Sequence, residues 1–257
     1  MKKIFATVMA VLFCLSSAGW ADEVDQLLPE PVSNQLRTNT RAMIRSGVDS
    51  EDAIKMTRAM IQNRFQEREV IAAQRIVMEA RTQILPERAI INKAYEGMAK
   101  QVDAQAILAA MQRVQSRYAA SYQFARNLAK DQATVQRIGN ISVDAMAAGL
   151  TTQSMERIVV QLENRVQTMT GNQAEAFELC VQTMLATRDM MRLGVPADMT
   201  VNMMVNGLRN GYSAADTKML RQSFASQARS SSVHQLAKSY AAGISRALRG
   251  RRRSAQT

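Results

Sequence analysis

Helix-ending junctions recur along this chain, and they constrain its fold more than any other feature. Each runs glycine, then an apolar residue, then a residue able to cap a helix: Gly47-Val48-Asp49, Gly149-Leu150-Thr151 and Gly211-Tyr212-Ser213. Gly194-Val195-Pro196 and Gln101-Val102-Asp103 are variants of it. Glycine takes the left-handed conformation that ends one helix, and the apolar residue folds back on its last turn. Asp, Thr or Ser then accepts from the orphan amides of the next helix. Asp49 to Asp52 and Ser213 to Asp216 have capping-box spacing, with Asp where the longer Glu is usual. Pro196 suits a first helical turn, where its missing N–H costs nothing.

Between the junctions, apolar residues recur at helical spacing. In residues 103–128 the set Ile107, Ala110, Met111, Val114, Tyr118, Tyr122, Ala125 and Leu128 steps by three or four, as one buried helix face requires. Good helix formers dominate, and no stretch alternates as a strand would. With only four prolines and no Ser/Gly-rich linker, the fold class expected is all-α, with continuous helical packing.

Pro86, Gly97 and Val102 recur as Pro196, Gly207 and Tyr212, each 110 residues later, and Gly47 and Gly149 start similar stretches 102 apart. These offsets suggest a tandem duplication of helical hairpins, with a first half over residues 39–141 and a second over 142–248. Hairpins that each bury an apolar face on the next predict a solenoid-like array, with a compact orthogonal bundle as the other arrangement. Residues 22–38 read as a proline-punctuated lead-in, in which Leu27-Leu28-Pro29-Glu30-Pro31 is extended. Residues 249–257 read as a basic, disordered tail.

The first 21 residues read as a signal peptide: Lys2 and Lys3, an apolar run over residues 4–15, and Gly19-Trp20-Ala21 offering small residues for cleavage before Asp22. An apolar run of 12 residues is short of the ~20 that span a bilayer. Bulky Phe13 before Cys14 argues against a lipidated cysteine. The expectation is a periplasmic or secreted protein. Cleavage takes the formal charge from +11 to +9 and leaves Cys180 as the one thiol, so no intrachain disulfide is available.

The inventory for catalysis is thin. His234 is the single histidine, and its proximity to Ser230, Ser231 and Ser232 is not triad geometry. Cys180 sits in an apolar stretch with no evident base, where burial would raise its pKa. Glu51, Asp52, Glu67 and Glu69 read as solvated helix faces. Glycine-rich phosphate loops, dinucleotide fingerprints and calcium loops are absent. The expectation is therefore a non-enzyme without cofactor or metal, and an envelope enzyme using His234 or Cys180 is the weakest alternative.

Two features point towards binding. Methionines at a spacing of four fill helical cores or line adaptable apolar grooves. The dense patch over residues 184–204 (Met184, Met190, Met191, Met199, Met203, Met204) is the expected groove for a partner segment or an acyl chain. Copper(I) is disfavoured there because no histidine or cysteine completes a soft site. Arg246, Arg249, Arg251, Arg252 and Arg253 concentrate positive charge and suit an anionic membrane or envelope surface. Nucleic acid is disfavoured by export and by the lack of interleaved aromatics. The combined reading is an exported helical-repeat module that binds a protein partner or scaffolds at the cell envelope. A periplasmic carrier of lipid or another hydrophobic ligand is the alternative.

Overall fold

The junctions organise the chain as their chemistry dictates. At Gly47 (φ +95°) and Gly194 (φ +83°) the backbone turns left-handed, and the next N–H reaches back to close the helix end. Val48 donates to the Met43 carbonyl at 3.2 Å and Val195 to Met190 at 3.0 Å, and both side chains are buried. The same closure occurs where no glycine marks it. Arg64, Ile84 and Gln101 hold positive φ, while Phe65, Leu85 and Val102 donate back to Met60, Ala80 and Gly97.

The computed structural model describes residues 23–169 and 171–254, so the proposed signal peptide lies outside the described residues. Among the described residues there is no strand. The α-helices from Asn34 onward are α1 (Asn34–Arg45), α2 (Ser50–Gln62), α3 (Glu67–Thr82), α4 (Glu87–Ala99), α5 (Ala104–Leu128), α6 (Gln132–Ala147), α7 (Thr152–Gln167), α8 (Gln173–Arg192), α9 (Ala197–Arg209), α10 (Ala214–Gln227) and α11 (Val233–Ser254). The chain divides into two compact units, one through Ala119 and the other from Ala120. The boundary falls inside α5, which runs unbroken for 25 residues.

In the first unit α1 packs on α3 and α2 on α4, so each helix meets both its hairpin partner and the next helix but one. Met43, Ile54, Met56, Met60, Val77, Ile90 and Ile91 are fully or almost fully buried there. A polar cluster is sealed among them: the Gln74 amide donates to the Thr40 and Thr57 hydroxyls, each at 3.0 Å. Residues 23–27 are helical, and the chain leaves the helix at Leu28, just ahead of the prolines. Val24 and Leu28, one turn apart, are buried, and the Arg37 guanidinium ties this segment down through the Asp25 carbonyl at 3.1 Å and Glu30 at 2.6 Å. Each of the two apolar side chains contributes about 1.5–3 kcal/mol by leaving water, which holds this segment on the first unit.

In the second unit α6 packs on α8 and α8 on α10, while α7 packs on α9 and α9 on α11. Ile138, Met155, Ile158, Leu162, Leu179, Met184, Val201 and Met203 are fully buried, and Phe224 is 1% exposed. The last helix extends through Ser254, where a disordered tail was expected from residue 249. Arginine, alanine and leucine all propagate a helix, and Gly250 alone does not stop it.

The two units share an internal plan at an offset of 147, seen in Gly47 and Gly194, Arg64 and Gly211, and Met56 and Met203. Thr40 and Thr187 each donate to the carbonyl one turn back at 2.8 Å. Glu69 and Asp216 each return a carboxylate oxygen to the capping N–H, of Gln66 at 2.8 Å and Ser213 at 2.9 Å. The offset of 110 read from Pro86 and Pro196 pairs α4 with α9, one hairpin out of this register. Asp49 caps α2 by accepting from the Asp52 N–H at 3.1 Å, but the expected return bond is absent. Asp52 turns instead to Arg88 at 2.7 Å.

Candidate functional site

The methionine patch is interior. Met184 and Met203 are fully buried, Met190, Met191 and Met204 are 1%, 8% and 2% exposed, and Met199 is half-buried. Because α9 has α7 on one side and α11 on the other, the residues expected to wall an open groove serve as core fillers. The space left beside Met203 and Met204, between Thr183, Thr217 and Leu220, is about 10 Å³, room for about one water and not for an acyl chain.

The reactive groups are dispersed. Cys180 is 1% exposed, and burial pushes its thiol up to about 12. His234 is exposed near the start of α11, beside the exposed Ser230, Ser231 and Ser232. Among the described residues, no group of three or more His, Cys, Asp or Glu converges as metal ligands would. Glu51 pairs with Lys55, and Glu67 accepts from the Ser33 hydroxyl at 2.6 Å. Glu69 departs from the expected solvated face: it is 7% exposed, caps α3 and accepts from the Gln105 amide at 3.0 Å. Of the basic cluster, Arg246 is exposed on α11, and the side chains of Arg249, Arg251, Arg252 and Arg253 lie outside the described residues.

Among the described residues, the clefts on the second unit include three of several hundred cubic ångströms. One, about 510 Å³, lies between the turn after α5 and the start of α8, and includes Leu128 and Phe177. The Arg137 guanidinium stands 5.5 Å from the centroid of the Phe177 ring. Another, about 430 Å³, carries a polar ladder on α7 and α9, where Arg157 donates to Asn202 and Arg209 to Gln161, each at 3.2 Å.

The third, about 620 Å³, lies between α10 and α11. Tyr212, Met219, Leu220, Tyr240 and Ile244 give it an apolar lining, and Ser223, Gln227 and Ser239 add hydroxyl and amide groups. Met219 is 60% exposed, an uncommon setting for a large apolar side chain beside other apolar groups. The walls are held in place: Phe224 meets Tyr240 edge-on with centroids 5.4 Å apart, and the Gln227 amide donates to the Tyr240 hydroxyl at 2.8 Å. The Asn210 amide donates to the Ile244 carbonyl at 2.8 Å and anchors α11. Asp216 is held by the Ser213 N–H and hydroxyl, at 2.9 and 2.8 Å. Sequence reasoning missed this cleft because its lining belongs to two helices that converge only on folding.

An apolar cleft with a hydrogen-bonding rim, on an all-α chain of packed helical hairpins, has the make-up of a ligand or partner seat. No protein-family model, curated protein or solved structure matches the chain.

Proposed function

We propose that this chain is an exported, non-enzymatic helical-repeat module that binds a protein partner at the cell envelope, its hairpins forming a solenoid-like array. The observation that carries this reading is the α10–α11 cleft, whose exposed Met219 and fixed Tyr240 combine an adaptable apolar contact with a rigid aromatic one. Helices that each pack on the next but one support the array reading. The dispersal of Cys180, His234 and the carboxylates supports a binding role over catalysis. Arg246, Arg249, Arg251, Arg252 and Arg253 bias the module towards an anionic membrane face at about 1 kcal/mol per basic residue near the surface.

The test is the intact native mass of the mature chain, isolated gently from the cell envelope. The expected result is a complex of discrete stoichiometry with another protein. A mass excess equal to a lipid would replace this reading with that of a hydrophobic-ligand carrier, and a bare monomer would refute the stable partner.

A further inference from the structure

The two units share their plan as far as α4 and α11, and differ in what comes next. In the first unit the left-handed turn at Gln101 ends α4, and the first turns of α5 come to lie against α3 and α4. The Gln105 amide of α5 donates to the Glu69 carboxylate of α3 at 3.0 Å. Ile107 of α5 sits on Gly97 of α4, so closely that a Cβ at Gly97 would stand 2.5 Å from its Cγ1. Ile107, Leu108 and Met111 are all buried, so this stretch of α5 is the cover of the α3–α4 surface.

The same seat is present in the second unit. At the offset of 147, Asp216 of α10 takes the place of Glu69, and each caps its own helix. On α11 the offset is 146: buried Leu236, Ala237 and Ile244 match buried Ile90, Ile91 and Met98, and Gly243 matches Gly97. Asp216 and Gly243 both line the α10–α11 cleft. Their surroundings are open. Asp216 is exposed where Glu69 is buried, and a Cβ at Gly243 would meet no side chain within 4 Å. Whereas α4 stops at Ala99, α11 runs straight on through Ser254, so no turn like that at Gln101 brings the chain back over the cleft. Stacked hairpins bury each face on the next element, and a face bare in one repeat but covered by a helix in the other is a seat for a helix.

We propose that the α10–α11 cleft seats an amphipathic helix of a partner protein, laid down as α5 is on the first unit. A branched aliphatic side chain of that helix stands over Gly243, its apolar neighbours meet Met219 and Tyr240, and an amide two residues earlier donates to Asp216. Apolar anchors at helical spacing on one face are the means of helix-in-groove recognition. Met219 suits such a seat, because an unbranched thioether adapts to what lies on it. A second copy of this chain fits less well, since its own α5 would have to withdraw Ile107, Leu108 and Met111 from the surface that already buries them. The inference rests on the binding-module reading and gives its partner a shape.

The test uses the mature full-length chain and a fluorescent peptide with the sequence of residues 103–118, the covering stretch of α5, read by anisotropy up to millimolar concentration. This peptide is expected to bind, and the same peptide with Ile107→Asp and Met111→Asp is not. Gly243→Leu fills the seat and is expected to weaken binding about tenfold or more, the scale of a hot-spot contact. Because the space at Gly243 is open and leucine favours a helix over glycine, G243L should fold, and an unchanged far-UV circular dichroism spectrum checks this. No binding of the first peptide, equal binding of the two peptides, or indifference to G243L overturns the proposal. So does a dimer of the mature chain that G243L dissociates, which would make a second copy the occupant. A native-mass complex with another protein that is lost in G243L supports the proposal, whereas one that persists removes this cleft while leaving the binding-module reading intact.

Discussion

Gly139 lies inside α6 against the ring of Tyr122, and replacing it with alanine sets two effects of opposite sign against each other. Alanine in a helix interior is favoured over glycine by about 1 kcal/mol. The added Cβ, however, would stand 2.6 Å from Cδ2 and 2.7 Å from Cε2 of Tyr122. The ring has little room to retreat, being 1% exposed with its hydroxyl donating to Asn140 at 2.9 Å. Overpacking against a rigid group costs about 1–3 kcal/mol, and two ring atoms inside 3 Å place this case at the upper end. Gly139→Ala should therefore destabilise by about 2 kcal/mol, or about 4–8 °C in Tm for a chain of this size. Urea and thermal unfolding followed by far-UV circular dichroism would measure it. In a Tyr122→Ala background the obstacle is gone, so the same substitution should stabilise by about 1 kcal/mol. A Gly139→Ala protein as stable as the wild type, or a double-mutant cycle without the change of sign, would refute the reasoning.

Cys180 should be silent towards Ellman's reagent in the native state at neutral pH and react fully after unfolding in urea. Its folded pKa, about 12, lies above the ordinary thiol value of 9.0, so its contribution to stability is present below about pH 9 and is lost as the pH rises towards 12. Gln74→Met should leave stability unchanged or raise it by about 1 kcal/mol. Gln74 Oε1 finds no partner among the described residues, and the Thr40 and Thr57 hydroxyls keep their bonds to the Leu36 and Ala53 carbonyls, so a urea midpoint well below wild type would contradict this. Deleting residues 249–257 should weaken co-sedimentation with anionic vesicles, with the gap from full length widest at low salt and closed near about 1 M. Unchanged sedimentation would remove the arginine cluster from any surface role.

Much of the helical plan was legible because left-handed helix ends leave glycine behind, as at Gly47, Gly149, Gly194 and Gly211. Three further ends were harder to read, because Arg64, Ile84 and Gln101 take the same conformation without that mark, and of these the Gln101 junction alone was identified from its neighbours. In those cases the back-bonded Phe65, Leu85 and Val102 identify the turn, a feature of geometry rather than of residue type. Spacing identified the methionines around α8 and α9 as facing one way, but whether that way was solvent or core depended on α7 and α11 flanking α9. Glu69 was misread for a related reason: its interleaving with arginines suggests a wet face, while its capping bond and Gln105 draw it inward. The α10–α11 cleft requires Tyr212, Met219 and Tyr240 to meet across two turns of chain, and no local pattern encodes that.

Within each unit, extensive packing joins only helices that are neighbours in the chain or separated by one other. Native contacts therefore close short loops, and assembly can proceed like a zip, each hairpin completing the surface on which the next condenses. A zip also has ends. In the second unit the end is α11, seated chiefly on α9, so the helix with the greatest surplus of positive charge is also the one that can peel away while the hairpins before it keep their shape.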